Sequence, residues 1–261
     1  MSRGPASPGA RALLGAALAA GVSTAGPLRR SPALQRTNHR GAVVSLASGP
    51  ALALGAVTAA TLPLPAVATA GLVAGAVGAY DDTAGARPAE AGAKGFRGHL
   101  AALRGGRITA GTVKVVGIGL AGLAGVALLP RPAPAVDLVL GGAIVAGTAN
   151  LVNLLDLRAG RALKCGIALA LALGQPGVAG AAAVLLPEDL AERTMLGDTG
   201  ANALGAVLGL ALVDRLPGRR AVATALAVLG TLTAASEVVS YSWVIDATPP
   251  LRWLDRLGRL P

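Results

Sequence analysis

Apolar residues run along this chain in nine stretches, roughly 11–28, 41–61, 63–80, 110–130, 134–155, 161–174, 177–187, 199–214 and 219–240. Runs of eighteen or more recur over the whole length, the mark of membrane-spanning helices rather than of a soluble core. A tight "TLPLP" turn joins the second and third stretches, and a polar loop, "DDTAGARPAEAGAKGFRGHLAALRGGR", separates the third from the fourth. The sixth and seventh are short and split by "GQPG", compatible with a broken hairpin or with one long tilted helix. The pattern predicts an all-α, polytopic membrane bundle of about nine helices over residues 1–240, followed by a separate segment, 241–261.

Composition sharpens this picture. The 261 residues are 53% hydrophobic and only 14% charged, with mean hydropathy +0.63, against about 25% charged in an ordinary soluble domain. Aromatic residues make up 2%, and the excess of Ala and Gly predicts close helix contacts through small side chains. A single cysteine, Cys165, excludes an internal disulfide and reads as a small core residue. The net charge of +10 points away from nucleic acid in a chain this apolar, because Lys and Arg in polytopic proteins concentrate in loops that face anionic lipid.

With nine spans the loops alternate between two faces. The loops 29–40, 81–109, 156–164, 188–198 and 241–261, with Lys114, hold 17 of the 23 Lys and Arg residues. The positive-inside rule therefore predicts a plasma-membrane protein with its N-terminus outside and its C-terminus in the cytoplasm. "DRLPGRR", on the opposite face, breaks the pattern locally. Cleavage of the N-terminus as a signal peptide after Ala25 would invert every later loop, so the uncleaved reading is preferred.

This topology brings carboxylates to one face. Of the nine Asp residues, Asp81 and Asp82 end the third span, Asp156 ends the fifth and Asp198 precedes the eighth, all on the cytoplasmic boundary. Adjacent carboxylates repel unless a cation compensates, and a magnesium ion shared with a phosphate is the natural compensator. "NLVNLLD" places Asn150, Asn153 and Asp156 near one face of a helix, where amides are costly unless bonded. "TMLGDTGANALG" sets Asp198 in a glycine-flanked turn opening a helix, where free N–H groups favour an anion.

These motifs resemble, in order, those of the polyprenyl-phosphate sugar-1-phosphate transferases. "YDDTAG" is similar to that family's aspartate pair, "KGFRGH" to the basic segment after it, "NLVNLLD" to its Asn/Asp motif, and "MLGDTGANALG" to its "MGDxGSxxLG". "RTNHRG", residues 36–41, sits where the family has a short basic loop. The resemblance covers about residues 30–240. It implies magnesium held by Asp198 with Asp82, and catalytic roles for Asp81, Asp82 and Asp156. It implies substrate contacts from Asn150, Asn153, Lys94, Arg97, Arg36 and His39. The implied reaction is attack of polyprenyl phosphate on the β-phosphate of a UDP-sugar, releasing UMP, in cell-envelope glycan synthesis such as that of peptidoglycan. Membrane lipids and a second copy of the chain complete the expected partners.

The chain departs from the family where the nucleotide is recognised. The Asn/Asp motif continues as "DLRAG", with Leu157 and Ala159 in place of a glycine and a second aspartate, and Met195 replaces an aromatic residue. "SYSWVIDATPPLRWLDRLGRLP" stands where a His-rich loop is expected. A non-catalytic relative that binds lipid phosphate is therefore an alternative, and a membrane transporter is another. The final segment sets Leu251, Trp253, Leu254 and Leu257 among Arg252, Arg256 and Arg259, which predicts an amphipathic helix lying on the inner leaflet.

Overall fold

The computed structural model describes residues 6–84, 98, 102–131 and 134–260. Lys94, Arg97 and His99 lie outside the described residues.

Each predicted apolar stretch contains a helix. These are α1 (Pro8–Ser23), α3 (Ser48–Ala59), α4 (Leu64–Ala84), α5 (Ala110–Ala127), α6 (Ala135–Leu155), α7 (Arg161–Ala172), α8 (Pro176–Leu190), α9 (Gly197–Arg215) and α10 (Arg219–Ser236). A short α2 (Gly26–Arg30) follows α1, and α11 (Tyr241–Ala247) and α12 (Pro249–Arg256) complete the described chain. Polar side chains start several of them. Ser7 accepts the Ala10 N–H ahead of Pro8, and Thr109 accepts the Thr112 N–H at the head of α5.

Among the described residues, three helices, α4, α5 and α6, are long and apolar enough to cross a membrane. The pair α10 and α11, bent by 94°, would form a fourth span. With 12 residues each, α3 and α7 reach only about 18 Å at 1.5 Å per residue, short of the ~30 Å hydrocarbon layer. "GQPG" forms a true break. Gly174 turns with φ 60°, Pro176 starts α8, and the buried Gln175 side chain accepts the Thr61 N–H at 2.9 Å.

One departure from the all-helical expectation lies in 35–45. Gln35–Thr37 (β1) and Val43–Ser45 (β2) pair antiparallel, so the second apolar stretch begins as a strand and turns helical only at Ser48. Two adjacent β-branched valines favour extended backbone, and Gly41, with φ 83°, makes the reversal.

The packing centres on α9, fourteen of whose nineteen residues are buried. Helices α3, α4 and α6 surround it, α5 bridges α4 and α6, and α1, α3 and α8 form a second packed group. Small residues permit this closeness. A Cβ added to Gly205 would overlap Ala149 of α6, as expected where helices approach without bulky side chains. α10 leans on α6 and buries only Leu229.

The two ends of the bundle carry separate charge sets. Arg131–Asp214 and Arg219–Asp137 pair at one end, while Arg29–Glu188, Lys114–Asp198 and Arg161–Asp255 pair at the other. Each pair joins residues that the alternation of loops assigns to the same face.

Candidate functional site

The site grows from the junction of α4 with the start of α9. "LGD" places Gly197 at φ 61°, a left-handed turn that suits glycine, and a Cβ there would press on the Asp82 oxygens at 3.0 and 3.1 Å. Asp82 Oδ1 accepts the Asp198 N–H at 3.0 Å. Its Oδ2 accepts the Thr199 N–H at 3.0 Å and the Thr199 hydroxyl at 2.7 Å. A carboxylate from α4 thus caps the first turn of α9, satisfying two N–H groups that the helix itself leaves unpaired. On α4, Gly78 lets the two helices meet, because a Cβ there would overlap the Asp198 carbonyl. Asp82, expected among the metal ligands, is therefore committed to α9, and it orients Asp198.

Asp198 itself faces a cation supplied by the protein. Lys114 Nζ, from the first turns of α5, lies 2.5 Å from Asp198 Oδ2 and 3.2 Å from Asp81 Oδ2. Burial opposes the charge on Asp198, which lies just ahead of the apolar run 199–214. A hydrogen bond shared with the Asp81 carboxyl, the Lys114 ammonium and a hydrogen bond with Asn153 together hold it below the ordinary carboxylate range. Side chains from α4, α5, α6 and α9 thus meet at one point.

Among the described residues, no group of three or more His, Cys, Asp and Glu is poised to hold a metal ion. Magnesium asks for less, since one or two carboxylates, water and the phosphates of a substrate suffice. Asp81 and Asp198, aimed at one shared cationic position, fit that requirement.

Asp156 occupies the C-cap of α6 and is buried, close to the Gly197 N–H. Burial first, and then the nearby Asp189, push its carboxyl well above the usual range, and Asp198 and Asp82 add in the same direction. Asp189 lies beyond the apolar run 177–187. Burial raises it to about 7, although its Oδ2 accepts the Gly160 N–H at 3.0 Å. Both carboxyls line a cavity of about 200 Å³ with His39, Arg158, Glu192 and Met195. The β1–β2 hairpin roofs it. Ser45 N–H donates to the Arg193 carbonyl, and Met195 N–H donates back to the Ser45 carbonyl. Asn38 Nδ2 donates to Glu192 Oε2 at 2.7 Å, and Glu192 adopts the uncommon φ of 52°. Burial, together with Arg158, lowers His39 below the ordinary histidine value.

The structure thus brings Asp81, Asp82, Asp156, Asn153 and Asp198 together and places His39 at the adjoining cavity. It turns Asn150 toward α10, its Nδ2 donating to Thr233 Oγ1 at 3.2 Å, while Arg36, on β1 next to the cavity-lining Thr37, donates to the carbonyl of its neighbour Gln35. Cys165 is exposed, contrary to the core position expected of it, because Arg161, Ala162 and Gly166 take the inward face of α7. Sequence reasoning missed Lys114 and Asp189 as site residues. A lone lysine early in an otherwise apolar helix was the available signal for the first, and Asp189 had none beyond its burial in the fold.

This architecture defines a helical bundle with a carboxylate-rich site at one end. No family model, no curated protein and no solved structure matches the chain.

Proposed function

We propose that the protein is a plasma-membrane transferase that moves a sugar-1-phosphate from a UDP-sugar to polyprenyl phosphate at the cytoplasmic face, in cell-envelope glycan synthesis. The observation that carries this reading is the convergence of Asp81, Asp82, Asp156 and Asp198, far apart in sequence, at one end of the bundle. Charge repulsion makes such a cluster costly unless it serves cationic or phosphate chemistry.

In this reading Asp198 and Asp81 would hold magnesium, which would offset the charge of the donor's diphosphate. Asp82 fixes the Asp198 backbone, and Asn153 steadies the Asp198 carboxylate. The lipid phosphate attacks as its dianion, the form a phosphate monoester mostly takes at neutral pH, so no side chain has to remove a proton from it. That phosphate's oxygen forms a bond to the donor's β-phosphorus, and the bond from this phosphorus to the bridging oxygen breaks, leaving its electron pair on UMP. Lys114, within reach of both carboxylates, neutralises them before substrates arrive. An apolar cavity of about 600 Å³ between α6 and α10, lined by Ala143, Gly147, Leu226 and Leu229, suits an isoprenoid chain.

A second reading, a non-catalytic binder of lipid phosphate, draws on the same Lys114, which already neutralises the carboxylates without an added ion. Purified protein incubated with magnesium, polyprenyl phosphate and a panel of radiolabelled UDP-sugars separates the two. Transfer is expected with at least one donor, and Asp198→Asn abolishes it. Binding of polyprenyl phosphate with no UMP released from any donor would overturn the transferase reading.

A further inference from the structure

The segment after α10 folds back onto the site end of the bundle and is fastened there by buried polar bonds. Arg161, on α7, donates from Nε to Asp255 Oδ1 at 2.8 Å and from Nη2 to Oδ2 at 3.1 Å, and both side chains are only 4% exposed. Such a two-point guanidinium–carboxylate pair fixes orientation as well as position. Lys164 Nζ donates to the carbonyls of Leu254, Asp255 and Leu257, closing the C-terminal end of α12. Gly258 then reverses the chain with φ 76°. Arg259 returns to the core, giving one hydrogen bond to the Ala159 carbonyl and one to Asp255, each at 2.8 Å.

This anchoring inverts the usual arrangement of an amphipathic helix on a globular protein. The acidic residue points inward, while Leu251, Trp253 and Leu254 stand exposed. What the segment brings to the site is positive charge. Arg256 and Arg259 form one wall of a cavity of about 310 Å³ whose other walls are His39 and Arg40 from the hairpin, Ala159, Leu260 and Glu192. Three arginines and a histidine thus line the cavity with one carboxylate, Glu192, while Asp255 and Asp246 engage Arg259 and Arg256 from outside its lining. Glu192 engages Arg40 at 3.3 Å, Arg259 is held by its own bonds, and Arg256 reaches Asp246 only at 3.9 Å with its side chain 67% exposed. His39, Ala159 and Glu192 also line the cavity that holds Asp156 and Asp189, so the two cavities share walls.

We propose that the C-terminal segment completes a phosphate-binding clamp, in which Arg256, with Arg259, Arg40 and His39, takes a phosphate or diphosphate group at the mouth of the carboxylate-lined cavity. Crowded guanidinium groups repel one another, and a multivalent oxyanion that accepts several of their N–H donors relieves that repulsion. Because Arg259 is tied down and Arg256 is not, Arg259 shapes the clamp and Arg256 closes on the ligand. The soluble end of a nucleotide and an anionic lipid headgroup offer the same chemistry. The clamp does not depend on sugar-phosphate transfer.

The test is calorimetric titration of full-length protein, in nanodiscs of phosphatidylcholine, with inorganic diphosphate and with uridine. Neither donor nor acceptor is present, so failure of this site and failure of transfer are read separately. Arg256→Ala is expected to weaken diphosphate binding about tenfold, the loss of one charge-assisted contact, with the melting temperature and any uridine binding unchanged. Deletion of 249–261 is expected to weaken it further. Nanodiscs containing phosphatidylglycerol distinguish the source. Undiminished diphosphate affinity assigns the clamp to a soluble phosphate, and affinity lost in wild type, with no further loss in Arg256→Ala, assigns it to a headgroup. Wild-type diphosphate affinity in Arg256→Ala, or no diphosphate binding by the wild-type protein, overturns the proposal.

Discussion

The Lys114 ammonium sits 2.5 Å from the Asp198 carboxylate and 3.2 Å from that of Asp81, joining three helices through one positive charge. The three side chains are all largely shielded, with exposures between 17% and 22%, so the pairing is screened less than a surface ion pair would be. Replacement of Lys114 by Met leaves two carboxylates facing each other. It is expected to cost about 1.5–3 kcal/mol, the worth of hydrogen bonds to charged groups. If the same oxygens take magnesium, chelator-treated Lys114→Met melts below wild type and added magnesium restores most of the difference. Thermal melts with and without the ion check this, and equal shifts in both proteins would remove Asp81 and Asp198 as a shared cation site.

Gly78 is where α4 touches the carbonyl of Asp198. Substitution by Leu drives a side chain into that contact and is expected to destabilise the protein by about 1–3 kcal/mol through overpacking. By moving Asp82 off the first turn of α9, the same change should also abolish transfer if the proposed transferase activity is correct. Gly119, where a Cβ meets nothing within 4 Å, provides the control. Gly119→Ala should retain both stability and transfer.

Asp189 predicts a pH dependence of stability. Its folded-state carboxyl is raised to about 7 by burial, whereas an unfolded aspartate titrates near 3.9. Between those values the folded chain binds more protons than the unfolded one, so this group's contribution is full below about pH 4 and is lost as pH rises toward 7. Asp189→Asn keeps an oxygen for the Gly160 N–H and removes the titration. Melting temperatures from pH 4 to 8 should therefore fall less steeply in the variant than in wild type. Parallel curves would show that Asp189 is ionised throughout.

The Arg161–Asp255 pair is the main buried tie of the C-terminal segment. Burial alone would raise the Asp255 carboxyl, but the Arg161 hydrogen bond and charge hold it below the usual range. Asp255→Ala strands a buried guanidinium, an imbalance that costs about 3–5 kcal/mol when it cannot relax. Release of the segment relieves it. Limited trypsin digestion should then cut at Arg252 and Arg256 many times faster than in wild type, with the rates at other sites unchanged. An unchanged digestion pattern would show that the segment is held by other contacts.

The helices and their order were legible in the sequence because an apolar run bounded by Gly, Pro and charge has few other ways to satisfy its backbone. So were the helix ends at which Asp81, Asp82, Asp156 and Asp198 fall, although the nine-span count behind that reading is not matched by the three helices long and apolar enough to cross a membrane among the described residues. The helix lengths were less legible. Burial of α3, α7 and α9 inside the bundle needs apolar residues just as a lipid-facing helix does, so hydropathy alone does not separate them. Only the folded chain decided that Asp82 caps α9, that Lys114 reaches across to Asp198, that Asn150 turns toward Thr233, and that Asp255 meets Arg161 ninety-four residues away. Periodicity and local spacing report which way a residue faces on its own helix. Partners from other helices are set by crossing geometry and by where glycines let backbones touch, and these exist only once the bundle is packed.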